Sequence, residues 1–167
     1  MNRTLLVLLF FIVSFAACQK SASDPLVQYN AQKAIDDSIV SRYLKAHPGL
    51  GAKRIGDTTG VFYIIKPGEE GSGNDLFTNS TQVTVGYTLQ LLDSARILVQ
   101  TGNFHPSYRL GDVIRGWQLG IPLMKKNGKI RLIVPSRYAY GPFAQDSIGL
   151  PKNAILDFNI QLYNVIN

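Results

Sequence analysis

The run from Val113 to Gly141 constrains the fold more than any other part of the chain. It opens Val113-Ile114-Arg115-Gly116-Trp117, passes Gly120, Met124 and Gly128, and ends Pro135-Ser136-Arg137-Tyr138-Ala139-Tyr140-Gly141. Val113, Trp117, Ile121 and Met124 fall at i, i+4, i+8 and i+11, so a short helix turns one apolar stripe toward a sheet, and Pro122 ends its regular hydrogen bonding near Ile121. Lys129 to Val134 changes face at every residue, as a strand does. The only tryptophan in the chain therefore sits at the base of an apolar cup, with an aromatic turn following the strand.

The remainder of the chain supplies the sheet. Gly60 to Ile65 is a strand stopped by Pro67-Gly68. Gln82 to Leu92 is the next, with Val83, Val85, Tyr87, Leu89 and Leu91 on one face. Asp93 to Ser107 is expected to be irregular. Ala154 to Val165 closes the chain as a strand, Leu156, Phe158, Ile160 and Leu162 lying opposite Ile155, Asp157, Asn159, Gln161 and Tyr163. Five or so antiparallel strands around one short helix predict an α+β fold, a half-barrel sheet wrapped on that helix.

Upstream, Asp24-Pro25 begins an added helix. Leu26, Tyr29, Ile35, Ile39 and Tyr43 recur near helical spacing and are its expected apolar face, and Asp36-Asp37 belongs to its solvated surface. Pro48, Gly49 and Gly51 end it near Ala46. The predicted layout is a signal peptide over 1–17, a tether over 18–24, a helix and linker over 25–59 and the sheet domain over 60–167.

Met1 to Thr4 is a short positive head, Leu5 to Phe15 an apolar run too short for a bilayer core, and Ala16-Ala17 precede Cys18; this is the pattern of a secretion signal. Small residues directly before cysteine resemble the bacterial lipoprotein signal, although Phe15 stands where leucine is usual. The resemblance implies an exported protein held on a bacterial membrane, facing the periplasm, by acyl chains on Cys18. With one cysteine the chain forms no internal disulfide. The formal charge of +6 is scattered, with only Lys53-Arg54 and Lys125-Lys126 adjacent, so no nucleic-acid partner is expected.

Conventional catalytic chemistry finds no support. His47 and His105 precede prolines in loops, lack neighbours at metal-ligand spacing and are expected at the surface. Glu69-Glu70 belongs to a solvated loop. There is no nucleophile elbow, phosphate loop or nucleotide fingerprint, and no metal or cofactor is expected. Rotation about an X-Pro bond needs none of these. Its barrier of about 18–20 kcal/mol comes from amide resonance, and a dry apolar pocket that prefers the twisted amide to the planar one lowers it.

The Val-Ile-x-Gly-Trp segment and the Tyr-Ala-Tyr-Gly turn resemble the FKBP-type peptidyl-prolyl isomerases, and the likeness extends over about Gly60 to Asn167. It implies folding assistance to proline-containing segments of exported proteins, by a monomer or weak dimer. It makes Trp117, Tyr87, Tyr140 and Phe158 the catalytic aromatic set, with the Tyr140 hydroxyl donating to a substrate carbonyl. It assigns substrate binding to Val113, to Ile114 through its backbone amide, and to Leu150 before the proline of a closing flap. Counting from Tyr87 without gaps, Ile97 and Leu98 occupy the places of a pocket phenylalanine and a pocket aspartate. A further family aromatic has no clear counterpart among Phe104, Pro106 and Tyr108. The lost carboxylate keeps open a second reading, a non-catalytic or weakly active binding and chaperone module.

Overall fold

Two strands with long alternating runs form the spine of the sheet. In the computed structural model, which describes residues 24–167, the strands are β1 (Lys53–Arg54), β2 (Phe62–Ile64), β3 (Gln82–Leu91), β4 (Ile97–Gln100), β5 (Ser107–Arg109), β6 (Lys129–Val134) and β7 (Leu156–Ile166), and the α-helices are α1 (Pro25–Ala46) and α2 (Arg115–Gly120). The expected leader, Cys18 and the tether before Asp24 lie outside the described residues. β3 and β7 pair antiparallel from Gln82↔Ile166 to Leu91↔Leu156. The sheet runs β1-β2-β6-β7-β3-β4, and β5 pairs with β3 at the end opposite β4. It begins at Lys53, seven residues before the predicted domain start at Gly60. The α+β expectation is met: an antiparallel sheet wraps on one short helix, with an added N-terminal helix.

The stretch predicted to be irregular contains β4. Its alternation is broken because Leu89 pairs with Val99 while Gln90 pairs with Ile97, leaving Leu98 as a bulge residue. Leu98 and Val99 consequently both pack on the core, and a period of two cannot be read through such a site.

On the inner face lies α2. Trp117, Ile121 and Met124 are buried against Val85, Leu132 and Phe158 in one apolar cluster, as the stripe predicts, whereas Val113 lies before the helix and is half-buried. At Pro122 the helix gives way to a 3-10 turn over Ile121–Leu123. Gly116 and Gly120 permit the close approach. A Cβ on Gly116 would come within 2.4 Å of Val134 Cγ1, and one on Gly120 within 2.5 Å of Leu132 Cδ1.

From Gln32 onward α1 lies against the outer face, by a side that shares only Tyr43 with the predicted one. Val40, Tyr43 and Leu44 pack on Ile133, Ile155, Phe62, Ile64 and Leu92, while Ile35 and Ile39 of the expected stripe are 52% and 40% exposed. Residues up to Ala31 group apart from Gln32–Asn167, and in that part Leu26, Val27 and Tyr29 are exposed.

The docked face also carries polar ties. Asp36, expected in solvent, is fully buried and accepts from the Ser136 backbone N–H at 2.9 Å and from Ser136 Oγ at 2.7 Å. Asp37 pairs with Arg137 at 2.7 Å. Burial pushes the Asp37 carboxyl up, but hydrogen bonds from Arg137 and Lys33 outweigh it and hold the group below the usual carboxylate range. A third tie is Arg131, which donates to the Tyr43 hydroxyl at 2.7 Å and forks onto buried Asp157 at 2.9 and 2.8 Å. Among the described residues no helix is long and apolar enough to cross a membrane.

Gly→Ala inside a helix ordinarily gains about 1 kcal/mol. At Gly116 the added methyl meets the fully buried, β-branched Val134, so Gly116→Ala should instead destabilise by about 1–3 kcal/mol through overpacking. Denaturant unfolding of the two proteins checks the sign.

Candidate active site: an aromatic cup over Trp117

Trp117 is delivered to the site by the first turn of α2, where its N–H bonds the Ile114 carbonyl at 2.9 Å. Three rings meet the indole edge-on. Tyr87 from β3 lies at 5.0 Å and 87°, Phe158 from β7 at 5.3 Å and 76°, and Tyr108 from β5 at 6.0 Å and 79°. Such edge-to-face contacts place ring hydrogens over π faces and are each worth about 0.5–1.5 kcal/mol beyond area burial. Sheet register accounts for the convergence. Phe158 stands between Leu89 and Leu132, and Tyr87 pairs with Ile160.

The floor is nearly closed, Trp117 and Phe158 being 4% and 3% exposed. The rim is more open: Tyr87, Tyr108, Val113, Ile114 and Tyr140 are all half-buried. The indole N–H is buried with no hydrogen-bond partner, an unsatisfied donor of the kind that usually carries a cost. Among the described residues neither the Ile114 N–H nor the Tyr140 hydroxyl is engaged by another protein group. The site thus presents free donors at the edge of an apolar floor.

Burial, then the Tyr108 hydroxyl beside it and more weakly Tyr140, pushes the Tyr87 phenol well above its ordinary value; burial and Tyr108 also raise that of Tyr140. Tyr87 and Tyr140 therefore remain protonated donors over the physiological range. Tyr108 is the residue that sequence reasoning left unassigned. Its signal was present, since Tyr108 precedes Leu110-Gly111 by two positions, but Phe104 and Pro106 competed for the same role. Phe104 is 72% exposed.

The remaining expected residues are distributed unevenly. Leu150 is buried in the core at 1% exposure, held by the Gln145–Leu150 bridge. Leu98 packs on the core, whereas Ile97 is 48% exposed. Asp93 and Asp112 are exposed, and buried Asp157 faces the outer side of the sheet, bound to Arg131. His105, expected at the surface, is half-buried and stacks on Tyr163 at 3.9 Å. A groove of about 930 Å³ is lined by residues such as Thr88, Gln100, Arg131, Asn159 and Gln161; Tyr87 also borders it, but Trp117 and Phe158 do not.

The sequence profile of FKBP-type peptidyl-prolyl cis-trans isomerases matches residues 73–163. The chain belongs to this family. It is 34% identical over 111 residues to the FKBP-type peptidyl-prolyl cis-trans isomerase FkpA of Buchnera aphidicola from Acyrthosiphon pisum, the match covering 66% of this chain and 44% of that one. It is 35% identical over 98 residues to FK506-binding protein 1 of Candida glabrata, covering 57% and 85%. The chain spans less than half the length of the FkpA relatives, 44% of the Buchnera protein and 38% of the Escherichia coli one. A solved peptidyl-prolyl isomerase from Pseudomonas syringae superposes with a TM-score of 0.67 at 26% identity, over 83% of this chain and 96% of that one. FkpA from Escherichia coli superposes with a TM-score of 0.65 at 23% identity over 99% and 82%, a likeness of fold.

The raised phenols of this FKBP-type cup set a pH dependence. A group whose folded pKa exceeds its unfolded value, about 10 for tyrosine, favours folding fully below that pH and loses the contribution as pH rises toward the folded value. Stability should therefore be flat with respect to Tyr87 and Tyr140 up to about pH 10 and fall above it, and Tyr87→Phe should flatten part of that fall. Denaturant midpoints between pH 8 and 11 measure it.

Proposed function

We propose that this chain is a peptidyl-prolyl cis-trans isomerase acting on proline-containing segments of exported proteins, anchored to a bacterial membrane through a lipidated Cys18. The observation that carries the activity is the box of three rings around Trp117, with the free Ile114 amide and Tyr140 hydroxyl at its rim. The proline ring packs over the indole. The Ile114 N–H and Tyr140 O–H hold the flanking carbonyl oxygens, and the surrounding apolar side chains favour the twisted imide, which has lost conjugation and charge separation. No step requires a nucleophile, a base or a metal.

A proline-peptide isomerisation assay on the chain from Gln19 onward tests it. Tyr140→Phe should lower kcat/KM by roughly tenfold, the value of about one hydrogen bond in the transition state, and Trp117→Ala should abolish acceleration. An unmodified chain no faster than the Trp117→Ala variant would remove the enzyme from consideration. For the anchor, Cys18→Ser should move the protein from the membrane to the aqueous fraction of the producing cell.

Leu98 supports a second reading, a binding or chaperone module of low turnover, because the count from Tyr87 sets this apolar residue of the β4 bulge at the position of the family's pocket aspartate. On that reading Leu98→Asp raises isomerisation substantially with little change in peptide binding. An unchanged rate would leave it without support.

A further inference from the structure

The buried clamp between α1 and the turn after β6 leads directly to the candidate active site. Ser136 has every polar group engaged. Its N–H and Oγ–H both go to Asp36 Oδ2, at 2.9 and 2.7 Å. Its carbonyl accepts from the Ala139 N–H at 2.9 Å and the Gly141 N–H at 2.8 Å, the backbone amides of the two residues that flank Tyr140. Asp36 is itself fixed. Its Oδ1 accepts from Gln32 at 2.8 Å, Arg137 Nη1 stands 3.9 Å from Oδ2, and the residue has no solvent exposure.

The neighbouring residue is held as firmly. Arg137 Nη2 donates to Asp37 and to the Thr59 carbonyl, each at 2.7 Å, and a Cβ on Gly60 would lie 2.3 Å from that nitrogen. The turn is thereby gripped at its root by the helix and closed at its tip by its own peptide groups.

We propose that Asp36 is a positioning residue for Tyr140, acting through Ser136 to set where the tyrosine hydroxyl stands over the cup. The inference rests on the reading that Tyr140 contacts the substrate. Helix docking alone does not account for a carboxylate here. Val40, Tyr43 and Leu44 already seat α1 on Ile133 and Ile155, and Arg131 ties Tyr43 to the sheet. A buried carboxylate costs desolvation that an apolar side chain would avoid. What an acceptor oxygen here can do, and an apolar side chain cannot, is take two bonds from one residue and so fix Ser136 in orientation. That orientation is passed on by a single carbonyl to both flanks of Tyr140.

The test is a double-mutant cycle in the chain from Gln19 onward, read as kcat/KM on a proline peptide at a temperature where each variant is fully folded, together with hydrogen exchange of the Ala139 and Gly141 amides. Asp36→Ala should lower kcat/KM roughly tenfold by misplacing the hydroxyl. Val40→Ala, which loosens the same helix without touching Ser136, should stay within about twofold, a near-neutral outcome for a change remote from the site. In a Tyr140→Phe background Asp36→Ala should add nothing, because there is no hydroxyl left to aim. Should Asp36→Ala fail to fold, Asp36→Asn and Ser136→Ala, each sparing part of the clamp, carry the same comparison.

A full Asp36 effect in the Tyr140→Phe background, or equal losses from Asp36→Ala and Val40→Ala, overturns the proposal. If Trp117→Ala and Tyr140→Phe leave the rate unchanged, it is the active-site reading that fails. The exchange arm then decides the positioning claim alone. Ala139 and Gly141 amides exchanging faster in Asp36→Asn than in Val40→Ala support it, and equal exchange overturns it.

Discussion

Everything at the cup depends on how closely α2 can lie on β6. Two glycines one helical turn apart, Gly116 and Gly120, bring the helix backbone against Val134 and Leu132 with no side chain between. That approach drops Trp117 to the level of Phe158 and Tyr87, where the rings meet at 5.0–5.3 Å. A methyl on either glycine would lift the helix, and the indole would lose its edge contacts before the sheet itself noticed. Packed interiors do not deform gradually, so the floor of the site is as rigid as the core of which it is part.

The same strand carries a second load on its other face. Ile130, Leu132 and Val134 face α2 while Arg131 and Ile133 face α1, the alternation that any strand provides. The inner contact is apolar and sets the floor. The outer contact mixes apolar packing with a buried polar clamp and ends at the turn that carries Tyr140. Floor and rim of one cup are in this way built from two sides of one strand, and the added helix becomes part of the site's support although it contributes no side chain to the cup.

Much of this was legible in the residues. Alternation in Gln82–Leu91 and from Leu156 to Leu162, the Trp117 stripe and the stop at Pro122 gave the sheet, the short helix and the cup, because each signal is local; the β7 period breaks only beyond Leu162, where its pairing with β3 shifts. Three features were not legible. β4 was hidden because a bulge turns Leu98 and Val99 to the same side. The docking face of α1 was misread because its apolar residues are spread around the helix, and the side that is buried meets its partners far away in the chain, as Asp36 meets Ser136, 100 positions on. Tyr108 was passed over because local spacing cannot say which of three candidates the sheet will bring to the indole. For β4 the deciding contact is an irregular pairing within one hairpin and for the other two it is long-range, and no simple period encodes any of them.

Magnitudes indicate how much the missing carboxylate matters. A hydrogen bond or close contact from a charged group is worth about 1.5–3 kcal/mol, or roughly one to two powers of ten in rate at 1.4 kcal/mol per decade. That is the most the exchange for Leu98 can cost. In return the bulge side chain extends the apolar wall, and burial already keeps Tyr87 and Tyr140 protonated as neutral donors. In a drier cup each of those donors interacts more strongly with a carbonyl oxygen, and the twisted imide, less charge-separated than the planar amide, is the form that such a surrounding disfavours least. On the proposed function, rate comes from desolvation and aim. In such a site the exact placement of Tyr140 carries more weight than it would beside a carboxylate, which is why the buried clamp at Ser136 bears on chemistry as well as on stability.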